Sequence, residues 1–282
     1  MVPTDRSALG AFLRSRRDAM TPAQAGIQAF PGARRVPGLR KEELAVLAGL
    51  SPDHYSRLEQ GRQHTVTDEV VEALSRALGL DDVERAHLRD LAAPPRRASG
   101  SPWEAPQRPD PGLLRVMTTL DHVPALVLGR RSEVLACNAL LRAVLGAEVD
   151  TGTTFARWLF LDPRARGRIE NWSDYAAAAV GALRLEVGRR PADRRLVALV
   201  AELRAADPDV ARWWDDHGVT DRTSVDKRIA HPVVGPLAFG IEALAPPHDA
   251  EQRLVVYTVE PGSLTAQHLP VLASWGLEAA ER

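Results

Sequence analysis

Asp215, Asp216, His217 and His231 are the residues of this chain whose types could ligate a metal or pass a proton. Their spacing argues against both. Neighbouring residues of a helix point about 100° apart, so Asp215 and Asp216 cannot readily share one ion. There is no His-x-x-x-His pair, no glycine-rich phosphate loop and no nucleophile elbow. Cys137 lies in the β-prone run EVLACN, where a thiol is more often a small core hydrophobe than a nucleophile. His231, followed by Pro232, reads as a hydrogen-bonded strand-end histidine. Trp158, Trp172, Trp213 and Trp214 read most simply as core; one or two of them lining a ligand cavity is the sharper reading. We expect no enzyme, no metal and no cofactor.

The spacing that does carry chemistry is cationic. Residues 34–41, RRVPGLRK, hold four cations and no acid, although the chain as a whole carries a formal charge of −1. Directly after Leu39 comes RKEELAVLAGLSPDHYSRLEQGR, residues 40–62. Leu44, Leu47 and Ala48 fall at i, i+3 and i+4, one face of a helix beginning near Arg40. Gly49 breaks it where a left-handed residue is needed. Ser51 can cap the next helix and Pro52 suits its first position, where no N–H is required. Ala45 permits close approach of the two helices, Leu50 plugs the core beneath the turn, and Tyr55 and Leu58 anchor the second helix. Ala45, Gly49, Leu50, Tyr55 and Leu58 are five constraints at fixed spacing, and together they describe a helix-turn-helix.

Other elements must hold that unit. Residues 6–20 form an amphipathic helix through Leu9, Phe12 and Leu13, with Arg14, Arg16 and Arg17 outside. Residues 67–80, with Thr67 as the capping candidate, and 81–92, with acids leading and bases trailing, complete a five-helix domain over 1–92. The Pro-, Ser- and Gly-rich stretch 93–111 reads as a linker. A second domain over 112–282 follows. Its hairpin runs PALVLG and EVLACN precede helical patterns at 174–187, 191–208 and 208–218, and the strands VDKRIAH, PLAFGIEAL and RLVVYTVE close it. Leu237, Phe239 and Ile241 alternate as a half-buried strand should. The expectation is an α+β, PAS-like domain, an antiparallel five-stranded sheet with helices, of the kind that often encloses a pocket.

Residues 40–62 resemble the XRE-type helix-turn-helix of lambda-type repressors, and PGLRKEELAVLAGLSPDHYSRLEQGR resembles the first domain of the MmyB-like regulators. The second domain resembles their ligand-binding domain through RWLFLDP (157–163), NW (171–172), ALR (182–184), RWWDDHGV (212–219), KRIAHPVVGPL (227–237) and RLVVYTVEPGS (253–263). The resemblance implies that the helix at 52–60 enters the major groove of double-stranded DNA. Ser51, Pro52, Asp53, Ser56, Arg57 and Gln60 would then face the bases. Arg57 has the fork geometry for the guanine O6 and N7 acceptors, and Asp53 could accept from cytosine N4 or orient Arg57. Arg34, Arg35, Arg40, Lys41 and Arg62 are better placed for phosphates, which fix register without reading sequence.

The same resemblance implies a small apolar ligand, with a fatty acid as one ligand class, and a pocket drawing on Asn138, Trp158, Phe160, Tyr175, Trp214, His217 and His231. Two departures bear on that pocket: Cys137 stands where a Trp is usual, and DPDV (207–210) replaces a Ser-Pro-Glu-Phe pattern. A homodimer is expected, since such modules read two half-sites about 34 Å apart. With one cysteine, no apolar leader and no window approaching about 18 apolar residues, a cytoplasmic protein without membrane segments is expected. A competing reading gives the helix-turn-helix a protein partner in place of DNA and leaves the second domain to dimerisation. Operator, target genes, sign of regulation and ligand identity are not legible in the residues.

Overall fold

The computed structural model describes residues 5–28, 38–62, 66–93, 106–146, 149–219, 226–247, 249 and 251–280. Arg34, Arg35 and most of the expected linker lie outside them. The chain divides into two units. The first comprises residues 1–100, 184–197 and 212–220, and the second 101–183, 198–211 and 221–282.

The first unit holds α1 (Asp5–Ala19), α2 (Lys41–Leu47), α3 (Pro52–Glu59), α4 (Asp68–Ala77) and α5 (Asp82–Ala92). Its core is aliphatic with two rings: Leu9, Phe12, Leu13, Leu39, Leu44, Ala45, Tyr55, Leu58, Val71, Leu74 and Leu88 are buried together. The α2–α3 turn follows the spacing of its residues. Gly49 takes φ +67°, and Ser51 caps α3 by accepting from the His54 N–H at 3.2 Å. Ala45 is fully buried and Leu50 half-buried against the same core. Asp81 caps α5 through a reciprocal pair with Glu84, whereas the Thr67 side chain, at the N-cap of α4, makes no capping hydrogen bond to the backbone.

Where α1 crosses α3 there is no room for a side chain. A Cβ on Gly10 would lie 2.1 Å from the Glu59 carbonyl oxygen, a backbone atom that cannot swing away. Gly10→Ala is expected to lower the stability of this unit by about 1–3 kcal/mol, the usual cost of overpacking. Urea denaturation of wild type and variant measures it; an unchanged midpoint would show that α1 is free to slide.

The second unit opens with α6 (Pro111–Thr119) and the hairpin β1 (Ala125–Leu128) and β2 (Val134–Cys137). The helices α7 (Ala139–Leu145), α8 (Phe155–Leu161), α9 (Pro163–Arg168), α10 (Trp172–Arg189), α11 (Arg194–Ala206) and α12 (Pro208–Asp215) follow. The limits between the two units fall inside α10, α11 and α12. The strands β3 (Lys227–His231), β4 (Gly235–Leu244) and β5 (Arg253–Thr258) then complete the sheet, and α13 (Leu264–Ala280) ends the described chain. All pairs are antiparallel, in the order β2-β1-β5-β4-β3. Leu237, Phe239 and Ile241 of β4 point inward, as does every second residue of β3. This is the expected two-domain layout, with a helical helix-turn-helix and an antiparallel five-stranded α+β fold.

Candidate DNA-binding face and ligand-domain core

The outward face of α3 is polar and open. Ser51, Pro52, Asp53, Arg57 and Gln60 are exposed and Ser56 half-buried, while Tyr55, Leu58 and Glu59 face the core. Two contacts order this face. Arg57 Nη2 donates to Asp53 Oδ2 at 2.5 Å, and Gln60 Nε2 to Ser56 Oγ at 3.1 Å. An exposed ion pair contributes well under about 1 kcal/mol, so Asp53 can aim the guanidinium without retaining it against a better acceptor.

The cations expected at phosphates are placed unequally. Arg62 is exposed just past α3, and Arg40 is half-buried at the N-cap of α2, where its backbone N–H donates to Glu43 Oε2 at 2.7 Å. Lys41 lies 3.4 Å from Glu59 with a third of its side chain exposed. Arg17, expected on the outside of α1, is instead 6% exposed. Its Nε and Nη2 bond the Glu59 carboxylate at 3.0 and 3.2 Å, and Nη1 bonds the Leu39 carbonyl at 2.6 Å. Arg14 adds a third cation to Glu59 at 3.1 Å. The physical reason for the correction is that a buried carboxylate requires a partner of equal burial, and Arg17 lies one helical turn beyond Leu13 on the inner face. Burial alone would raise the Glu59 pKa, but the bonds and charge of Arg17, with Tyr55 and Lys41, bring it below the ordinary carboxylate value. The Tyr55 hydroxyl is pushed up by burial and by the Glu59 charge.

In the second unit, several motif residues hold backbone. Asn138 caps α7 through Leu141 N–H at 2.9 Å, accepts from Ala125 N–H at 3.1 Å and donates to the Val123 carbonyl at 2.7 Å. Asn171 pairs like a missing strand with the edge of β3. It donates to the Asp226 carbonyl at 2.8 Å and accepts from Arg228 N–H at 2.9 Å. Trp172 Nε1 donates to the Leu159 carbonyl at 3.0 Å. His231 Nδ1 accepts from the N–H groups of Val233 and Val234, each at 3.3 Å, and its Nε2 meets the Ala143 carbonyl at 3.0 Å, so Nε2 carries the proton. Burial lowers its pKa, against the Ala143 bond, which raises it. The Cys137 thiol is raised by burial and by Asp150, as suits an unreactive thiol.

Between sheet and helices lies a cation. Lys227, the first residue of β3, is fully buried. Its Nζ lies 4.4 Å from the Tyr175 ring centre, 5.1 Å from Phe155 and 5.2 Å from both Trp158 and Tyr257, and 3.1 Å from the Tyr257 hydroxyl. Beside this cage runs an open groove of about 650 Å³, bordered by Thr153, Arg157, Trp158, Leu161 and Pro163.

A model of the MmyB-like transcription regulator ligand binding domain matches residues 109–272, more than half of the chain. The chain belongs to that family. A helix-turn-helix domain model matches residues 8–88, which contain α2 and α3. No curated protein matches the chain. A chain joining these two domains is a DNA-binding transcription regulator with a ligand-binding domain.

Within the MmyB-like domain the residues expected around a ligand do not form one group. Trp158 and Tyr175 meet at the Lys227 cage, and Phe160 is buried in α8. Asn138 and His231 are occupied by backbone, as above. Trp214 and His217 fall in the first unit. There Arg184 stacks 4.7 Å from the Trp214 ring centre and donates to the carbonyls of Trp213, Trp214 and Gly218. Lys227, Phe155 and Tyr257 were not anticipated. The alternation of KRIAH held the signal for the first: Lys227 shares the inward face of Ile229 and His231. Among the described residues no helix is long and apolar enough to cross a membrane.

Proposed function

We propose that this regulator reads a DNA operator through α3 and that a small apolar ligand, with fatty acids as the leading class, changes its DNA affinity. The observation that carries the DNA half is the exposed polar face Ser51, Pro52, Asp53, Ser56, Arg57 and Gln60, with Arg57 held toward solvent by Asp53. Arg57 takes a guanine, and Arg40, Lys41 and Arg62, with Arg34 and Arg35, take phosphates. The regulator acts in the cytoplasm as a homodimer on paired half-sites. Ligand and DNA are linked because a ligand shifts occupancy only by binding the two DNA-affinity states unequally. The domain limits that fit this division of labour are 1–92 and 112–282, with 93–111 between.

Selection of binding sites from a random DNA pool tests the groove assignment. Arg57→Ala is expected to relax the preference at one base pair by about 1–3 kcal/mol. Lys41→Ala should weaken all sequences alike and reduce the slope of log K against log salt by about one. If both variants select and bind the wild-type site normally, α3 does not read the groove. Binding to DNA without salt dependence would favour a protein partner instead.

A further inference from the structure

We propose that Asp215 and Asp216, at the end of α12, form an electrostatic brake on the DNA-binding face, lowering affinity for every duplex by opposing its phosphates. The inference rests on the reading that α3 enters the groove of DNA, and it gives a role to the acidic pair of RWWDDHGV, which that reading leaves unused.

An open groove of about 760 Å³ in the first unit is lined by both aspartates and by two of the proposed DNA contacts, Gln60 and Arg62. All four side chains are exposed. The other acids of the groove are already matched: Glu59 by Arg14, Arg17 and Lys41, and Asp18 by Arg17 at 2.7 Å. Among the described residues Arg62 forms no ion pair, and the Asp216 carboxylate has no bonding partner. A phosphate drawn to Arg62 therefore approaches the Asp216 carboxylate as well, and Asp215 adds a second negative charge beside it.

The pair is held in place by its backbone. Ser15 Oγ of α1 donates to the Asp216 carbonyl at 3.0 Å, and Arg16 Nη2 reaches the same oxygen at 3.5 Å. On either side, Arg184 donates to the carbonyls of Trp213, Trp214 and Gly218. His217 turns the chain at φ +53°, which a non-glycine residue adopts only at a cost. Helix stability gives no reason for acids here, since the macrodipole of α12 disfavours negative charge at its C-terminal end. Like charge beside a binding face acts against unwanted partners, and for this face they are the duplexes bound through phosphates alone. Both aspartates lie within 109–272, so the sequence of the ligand-binding domain itself supplies the opposing charge.

Fluorescence anisotropy of the full-length protein tests this, with the selected operator and a scrambled duplex at about 50 to about 200 mM salt. A unit charge about 10 Å from a phosphate is worth roughly a factor of two in water. The double variant Asp215→Asn/Asp216→Asn should therefore bind both duplexes about three- to tenfold more tightly at the lowest salt, with the gain shrinking as salt rises. Asp121→Asn/Glu242→Gln, which removes two exposed charges from the second unit, should change affinity by less than about twofold. An equal gain from that control would make the effect one of net charge and overturn the brake. Unchanged or weaker binding by the first variant also overturns it, while salt-dependent binding of wild type leaves the α3 reading standing. A gain that persists undiminished at high salt overturns it too, since screening must erase a Coulombic effect. Wild type that binds no DNA removes the α3 reading and the brake together. Should the double variant fail to fold, Asp216→Asn alone should tighten binding about two- to threefold at the lowest salt.

Discussion

Acidification from pH 7 to pH 4 is expected to cost the first unit about 3 kcal/mol through one side chain, His87. His87 is 2% exposed on α5, edge-on to Phe12 at 5.1 Å between ring centres. Its Nδ1 has no hydrogen-bond partner among the described residues. Gly188 approaches so closely that a Cβ there would lie 2.8 Å from the His87 ring. Burial, then the positive charges of Arg184 and Arg189, hold its pKa down at about 3. An unfolded histidine titrates near 6.5. Between those two values the unfolded chain carries a proton that the folded chain does not. Stability therefore falls as pH falls through 6.5, by about 1.4 kcal/mol per unit, until the folded group itself protonates near 3. His87→Phe keeps the ring and removes the titration. Hydrogen exchange of the buried α1 and α3 amides, measured from pH 7 to 4 and corrected for intrinsic rates, should show this slope in wild type and lose it in the variant. Parallel curves for the two proteins would mean that another group dominates the acid response.

Removal of the Glu59 carboxylate is the second large effect expected. Glu59→Ala should destabilise the first unit by about 3–5 kcal/mol, because it strands the buried Arg17 guanidinium without its counter-charge. Glu59→Gln keeps the shape and part of the hydrogen bonding, so its cost should fall between wild type and alanine. The pH window differs from that of His87. A carboxylate whose folded pKa is depressed contributes stability that is complete above the ordinary carboxylate range and lost as pH falls through the folded value. The Glu59 contribution should therefore survive to pH 5, where the His87 slope is already visible. Double variants of Arg17 and Glu59 to Met and Leu give the decisive measurement: if the pair is replaced at little cost while Glu59→Ala alone is severe, the penalty belongs to the stranded charge. A mild Glu59→Ala would show that water reaches Arg17.

Glu59 immediately precedes Gln60, and Lys41, Arg14 and Arg17 converge on it from α2 and α1. The same network that stabilises the unit thus fixes α3 against the helices that present its outer face. Loss of Glu59 is expected to weaken DNA binding with no contact to DNA removed.

The sequence alone determined the helix-turn-helix, because its constraints are local. Leu44, Leu47 and Ala48 share a helix face, Gly49 supplies the positive φ, and Ser51 with Pro52 starts α3; each acts within about five residues of its partner. The alternation of Leu237, Phe239 and Ile241 likewise determined an inward strand face. The outward residues of α3 were legible because they are what remains when the inner positions Tyr55 and Leu58 are assigned. Tertiary structure alone decided the rest. Arg17 reads as a surface cation until Glu59, 42 residues away, is seen beneath it. Asn171 enters the sequence reading only as part of a family motif, and only the fold shows it completing the edge of β3, more than 50 residues on. His231 and Asn138 carry the donors and acceptors of ligand-site residues, yet neighbouring backbone takes them. Lys227 reads as one more strand cation until rings from three other elements are found around its ammonium. Burial and charge pairing are decided by partners distant in the chain, whereas helix faces, caps and strand alternation are decided by neighbours, and only the latter are written in order along a sequence.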